Sequence, residues 1–267
     1  MVKYLGILLV SICLRLSAYA ADVPVSEYLQ SISVTVKAEN HEGSGVVFTR
    51  KDYLGQPVNL VWTAGHVVEG LRSTRNVIAP DGTTKTKVEF QDVIIIKEIL
   101  EDGRRVGKTE LDAEVIRYSD PDTGEDLAVL RVRKKSFFDA TGRFYSDKNP
   151  PALGTELYHV GSLLGEMGSN SMTTGNYSQY GRMIGKIVFD QTSVVAFPGS
   201  SGGGVFLKDG QYVGMLVRSA GPNFNLIVPV RRIRKWATTA KIEWAIDPAI
   251  PMPNDEAIGA TPVEVSK

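Results

Sequence analysis

Cysteine is almost absent from this chain of 267 residues: the one copy, Cys13, lies in the first 20 positions. A chain without that segment has no disulfide, no thiolate metal site and no cysteine nucleophile. Charge bias is missing too. Lys+Arg and Asp+Glu each number 30, so the formal net charge is zero, and the basic footprint of a nucleic-acid binder is lacking. Long apolar runs are also missing. Tyr4 to Leu14 gives 11 residues, about half of the ~20 that a membrane-spanning helix needs. Lys3 before that run and Ala18-Tyr19-Ala20 after it make residues 1–20 a secretory signal, with Ala21 as the new N-terminus. A retained anchor is the alternative. The expected location is secreted or periplasmic, with no stable membrane span once the signal is gone. Histidine is scarce, with three copies, His41, His66 and His159, and none pairs at metal-ligand spacing. No metal and no cofactor are expected.

Glycine is plentiful, with 26 copies, and the apolar residues come in short runs. Ile32, Val34 and Val36 alternate with polar neighbours, as in a half-buried strand. Gly43-Ser44-Gly45 reads as a turn or bulge before Val46-Val47-Phe48. Asn59 to Thr63 and Leu127 to Val132 are further strands, and residues 85–99 read as two. Asp102-Gly103 is a hairpin signal. The same rhythm returns at Glu156–Gly161, Gly181–Phe189, Ser193–Ala196, Val205–Leu207, Tyr212–Val217 and Asn225–Val230. Strands this short, without helices between them, predict an all-β barrel or sandwich rather than a parallel α/β sheet. Arg231 to Ala240 has the spacing of a short helix. Residues 246–267, with Pro248, Pro251, Pro253 and Pro262 among acids, predict a disordered tail.

The most suggestive stretch is Phe197-Pro198-Gly199-Ser200-Ser201-Gly202-Gly203-Gly204-Val205-Phe206. Glycines allow a tight turn that exposes a hydroxyl and aims backbone N–H groups at one point, and acyl transfer needs such a nucleophile and such donors. A serine nucleophile also needs a base, commonly histidine. No histidine follows Ser201, which excludes the α/β-hydrolase order. His66, Asp126 and Ser201 stand in the order His, Asp, Ser. Asp120 and Asp122 are rival acids, but they sit in a Pro/Thr/Gly turn. His159 reads as a wall residue of the second half and His41 as a surface residue.

Val61-Trp62-Thr63-Ala64-Gly65-His66 resembles the histidine motif of trypsin-like serine proteases. Asp126-Leu127-Ala128-Val129-Leu130 resembles their aspartate motif, and Pro198-Gly199-Ser200-Ser201-Gly202-Gly203 their serine motif. Gly43-Ser44-Gly45-Val46-Val47, Val160-Gly161-Ser162-Leu163-Leu164-Gly165 and Leu226-Ile227-Val228-Pro229-Val230 are similar to the bacterial HtrA-like branch. The likeness spans roughly residues 30–240. It implies two six-stranded antiparallel β-barrels with a short C-terminal helix. The first barrel would be 21–135, the linker 136–152, and the second barrel with its helix 153–245. It also implies a serine endopeptidase acting on protein or peptide substrates through an acyl-enzyme. His66 would be the base, Asp126 its orienter and Ser201 the nucleophile, chosen over Ser200 because Pro198 stands where that register needs glycine. Gly199 and Ser201 N–H would form the oxyanion hole. Val195 and Ala196 would line the primary pocket, Val217, Arg218 and Ser219 would pair with substrate backbone, and Asn225 would form the far pocket wall. With no acid at the pocket base, small or medium apolar residues are expected at the cleaved position. Three features depart from the family: Gly204 replaces a proline, Val217 replaces a serine that supports the aspartate, and the residues after 240 are too few for a PDZ domain. The alternative is a catalytically silent pseudoprotease that binds a peptide or partner protein.

Overall fold

The computed structural model describes residues 23–78, 81–101 and 104–265. The signal expected over 1–20 and the hairpin tip Asp102-Gly103 lie outside the described residues. Among the described residues, fifteen strands and a few short helices follow one another.

The first half is a closed barrel. Its strands are β1 (Ser33–Ala38), β2 (His41–Lys51), β3 (Pro57–Thr63), β6 (Val93–Glu101), β7 (Arg104–Ser119) and β8 (Leu127–Val132). They close in the order β1-β2-β3-β8-β7-β6, and every pairing is antiparallel. β3 and β8 are buried on nearly every residue, so they read as continuous apolar runs. Trp62, Phe48, Leu60 and Ile95 are fully buried, each worth about 2–3 kcal/mol in apolar area removed from water. Gly43-Ser44-Gly45 is not a turn but part of β2, paired with β1. Its glycines serve packing: a Cβ on Gly45 would stand 2.4 Å from Val61 Cγ1, and one on Gly43 2.6 Å from Val67 Cγ2.

Between β3 and β6, β4 (Arg72–Ile78) and β5 (Thr84–Phe90) form a separate two-stranded ribbon, of which residues 85–90 were the part anticipated as strand. Its base is held by Phe90 against Tyr118, ring centres 4.9 Å apart, and by Arg72 Nη2 2.6 Å from Glu264.

The second half comprises β9 (Arg143–Phe144), β10 (Glu156–Gly161), β11 (Ser171–Ile184), β12 (Ile187–Thr192), β13 (Gly204–Phe206), β14 (Gln211–Ser219) and β15 (Asn225–Pro229). The order is β13-β10-β11-β12-β15-β14-β9, with an additional β13–β14 pairing that curls the sheet back on itself. The expected second six-stranded barrel is thus a curled seven-stranded sheet without the clear closure of the first. The extra strand, β9, comes from the predicted linker and runs parallel to β14. The helix Val230–Thr239 buries Val230, Ile233, Trp236 and Ala237, and Trp236 meets Trp62 edge to face at 5.8 Å.

The tail expected as disordered is folded through residue 265. A short helix, Asp255–Ala260, is capped by Asn254, whose side chain accepts from Ala257 N. Met252 and Ile258 are buried, and Val265 N donates to Tyr118 O at 2.9 Å. Two buried arginines hold this part of the chain on the first barrel. Arg50 donates to the carbonyls of Trp244, Ala245 and Ile246 at 3.1, 3.0 and 2.7 Å. Arg117 donates to Ala240 O and Ile258 O. Backbone acceptors supplied from far along the chain override a Pro-rich composition.

Candidate active site

His66 sits on the one-turn helix Gly65–Val68, which follows directly on the buried strand β3. Asp126 stands one residue before β8, the strand hydrogen-bonded to β3. That pairing sets the two side chains together. His66 Nδ1 lies 3.0 Å from both carboxylate oxygens of Asp126, and His66 N donates to Asp126 Oδ1 at 2.9 Å. The Asp126 side chain is 3% exposed and the His66 side chain 34%. The carboxylate therefore fixes the tautomer with the proton on Nδ1, leaving Nε2 as the imidazole's acceptor.

Asp126 is at φ 56, a left-handed conformation that costs a non-glycine residue about 1–3 kcal/mol. The surrounding loop is held from several sides. Glu125 N donates to Ser119 Oγ at 2.8 Å, and Arg232 Nε donates to Glu125 Oε2 at 2.7 Å. Arg218 Nη2 donates to Pro121 O at 3.2 Å. Both guanidiniums lie over the Phe189 ring, at 5.2 Å for Arg218 and 4.8 Å for Arg232. The rival Asp120 is occupied as the turn's own cap, accepting from Thr123 N at 2.7 Å and Asp122 N at 2.9 Å. These hydrogen bonds hold its pKa below the ordinary carboxylate value against partial burial.

Ser201 comes from the second half, on the loop before β13. Its carbonyl accepts from Ser44 N of β2 at 2.7 Å. A Cβ on Gly43 would lie 2.6 Å from Val67, the residue after His66, and 3.0 Å from Ser201 O; one on Gly202 would lie 3.0 Å from Ala64 N. The serine loop and the histidine segment therefore share a wall. Among the described residues, Ser201 Oγ takes no hydrogen-bond partner. The carbonyls of residues 197–201 are all engaged: Phe197 O by Ser200 N, Pro198 O by Leu164 N, Ser200 O by Gly203 N, Ser201 O by Ser44 N, and Gly199 O by Ser44 Oγ. Gly199 N and Ser201 N, by contrast, donate to no protein acceptor among the described residues. Gly199 is at φ 92, and a Cβ there would strike Ser162 O at 2.3 Å, so only glycine fits.

The predicted pocket residues fall on both sides of the surface. Val195 is exposed and its carbonyl accepts from Thr173 Oγ1 at 2.9 Å. Ser193 to Ala196, predicted as a strand, lies outside the strands, held to the neighbouring chain by Ser193 N donating to Asn176 O at 3.0 Å. Ala196 is half-buried and Ser219 exposed. Val217 is buried and falls at a register shift between Leu216 and Arg218, outside the β14–β15 pairing. Asn225 is buried, with Nδ2 donating to Val194 O at 2.5 Å and Oδ1 unpartnered. His159 is fully buried below the serine loop. Its Nδ1 lies 3.0 Å from Gly204 O, and its Cε1 would stand 2.6 Å from a Cβ on Gly203. Burial depresses its pKa to about 4, partly offset by the Gly204 carbonyl. His41 is exposed. Sequence reasoning missed the contributions of Ser44, Leu164 and Arg232, and gave Arg218 a place beside the substrate without its bond to the Asp126 loop; the glycines flanking Ser44 were the available signal for a close approach of backbone.

Fold and site point to one class, the chymotrypsin-like peptidases. A family model described as a trypsin-like peptidase domain matches residues 43–215, and the chain belongs to that family. It is 33% identical over 145 residues to a probable periplasmic serine endoprotease DegP-like protein of Halomonas elongata, covering 52% of this chain and 27% of that one. It is 28% identical over 179 residues to a serine protease Do-like HtrA of Lactobacillus helveticus, covering 65% and 35%. The chain thus spans about a third or less of these relatives. Among solved structures, a serine endoprotease from Yersinia pestis matches with a TM-score of 0.55 at 18% identity, over 84% of this chain and 65% of that one. That likeness concerns the fold.

Proposed function

We propose that the protein is a serine endopeptidase of HtrA type, secreted or periplasmic, that cleaves protein or peptide substrates through an acyl-enzyme. Ser201 Oγ attacks the scissile carbonyl. His66 Nε2 takes the proton and later passes it to the leaving amine, and Asp126 stabilises the imidazolium. Gly199 and Ser201 N–H receive the developing oxyanion, each worth about 3 kcal/mol in the transition state. The observation that carries this reading is the serine loop itself, whose carbonyls are all tied back while those two N–H groups remain unused. Val217, Arg218 and Ser219 of β14 pair with the backbone of an extended substrate. Val195, Ala196 and Asn225 form the pocket for the residue at the cleaved bond.

A second reading, a peptide-binding pseudoprotease, is favoured by one observation: Ser201 Oγ has no hydrogen bond to His66 among the described residues. Apo catalytic hydrogen bonds are often loose and tighten with substrate. Turnover of unfolded protein substrates by wild type and Ser201→Ala separates the two. A peptidase loses about 10⁶-fold activity in the variant with folding unchanged. Peptide binding without turnover in wild type establishes the pseudoprotease.

A further inference from the structure

Of the five carbonyls of residues 197–201, one is held by a side chain. The carbonyls of Phe197, Pro198, Ser200 and Ser201 are tied by backbone N–H groups, which no substitution short of proline removes. Gly199 O is tied by the hydroxyl of Ser44, at 2.7 Å. Ser44 belongs to the other half of the molecule, in β2, and is fully buried.

Its surroundings fix where its proton points. Ser162 N donates to Ser44 Oγ at 2.7 Å, which occupies a lone pair and leaves the hydroxyl hydrogen for Gly199 O. Ser44 N holds Ser201 O at 2.7 Å. Ser44 O accepts from Thr63 Oγ1 at 2.7 Å, and Thr63 ends the strand that leads to His66. A Cβ on Gly161 would stand 2.8 Å from Ser44 Oγ, and one on Gly202 2.1 Å from Ser44 O. Every polar group of Ser44 is therefore engaged, on strand, loop and histidine segment at once.

We propose that Ser44 is a positioning residue of the oxyanion site. By clamping Gly199 O, its hydroxyl fixes the Gly199–Ser200 peptide, which links the two peptides that carry the Gly199 and Ser201 N–H groups, and so keeps Gly199 O away from the reacting carbonyl and both donors toward it. Glycine at 199 resists rotation of the neighbouring peptide planes only weakly. Without the clamp, a carbonyl can turn toward the place where negative charge develops, and the donor pair is lost to the transition state while ground-state contacts remain. This rests on the peptidase reading of the site.

The test compares Ser44→Ala with Ser33→Ala, which removes another buried hydroxyl, one bonded to Leu29 O rather than to the serine loop. Kinetics on a peptide substrate are paired with affinities for a peptide boronate and for the matching product peptide. Ser44→Ala is expected to lower kcat about ten- to a hundred-fold, a fraction of what losing an oxyanion donor costs. KM and product affinity should stay within about two-fold, and boronate affinity should fall in step with kcat. Ser33→Ala should keep wild-type kcat. Should Ser44→Ala fail to fold, Ser44→Cys replaces the hydroxyl with a somewhat larger, weak donor and should show the same split. Wild-type kcat in a folded Ser44 variant overturns the role, as does an equal fall in Ser33→Ala. A wild type that never turns over peptide refutes the peptidase reading itself, and this role with it.

Discussion

Acidification should destabilise this protein through His159. The imidazole is fully buried, with Nδ1 on Gly204 O and Nε2 without a partner. Burial holds its pKa at about 4, against 6.5 for a free side chain. Because the folded pKa is the lower one, protons bind mainly to the unfolded chain as pH falls. The native state is therefore fully favoured above pH 6.5 and loses stability progressively between 6.5 and 4. The interval from 6.5 to about 4, at about 1.4 kcal/mol per pH unit, amounts to about 3 kcal/mol. That is a large part of the 5–15 kcal/mol typical of a domain. The assay is urea unfolding at pH 7.5, 6, 5 and 4 for wild type and His159→Leu. Other titrating groups affect both proteins, so the difference between them isolates the imidazole. The variant should lose less stability than wild type on acidification, by an amount growing to about 3 kcal/mol at pH 4. A difference that stays constant from pH 7.5 to 4 would refute the reasoning.

Other substitutions probe separate parts of the molecule. Asp126→Asn presents an amide to His66 Nδ1 in place of the carboxylate now 3.0 Å away, and should lower kcat about 10⁴-fold by favouring the wrong tautomer, read from steady-state kinetics with the melting temperature as control. Arg50→Ala leaves the carbonyls of Trp244, Ala245 and Ile246 without their donor and should cost about 3 kcal/mol in urea unfolding. A chain ending at Ile246 loses buried Met252 and Ile258. At about 2 kcal/mol each, the melting temperature should fall by about 10 °C; an unchanged value would mean the segment contributes nothing.

The contact that the motifs suggested is the one between His66, which closes its motif after β3, and Asp126, which opens its motif before β8, the strand paired with β3. The glycine run around Ser201 was legible for the same reason: a position such as Gly199 leaves no room for a side chain. Less legible was anything supplied from far along the chain. Gly43-Ser44-Gly45 has the composition of a turn, yet it is strand because Val61 and Val67 fill the space its missing side chains leave. The segment after residue 246 has the prolines and acids of a disordered tail. Its ordering comes from Arg117, which donates to Ile258 O, and from Tyr118, whose backbone pairs with Val263 and Val265, all more than a hundred residues earlier, and local composition carries no trace of such partners. The single-strand addition of β9 and the ribbon strand β4 were hidden likewise, one being two residues long and the other largely exposed.

The most direct measurement is reaction of the wild-type protein with a serine-directed fluorophosphonate, followed by mapping of the labelled peptide. A peptidase with this site becomes labelled on Ser201, and Asp126→Asn is labelled far more slowly. No labelling, or labelling on Ser200 or another hydroxyl, contradicts the assignment of Ser201 as the nucleophile.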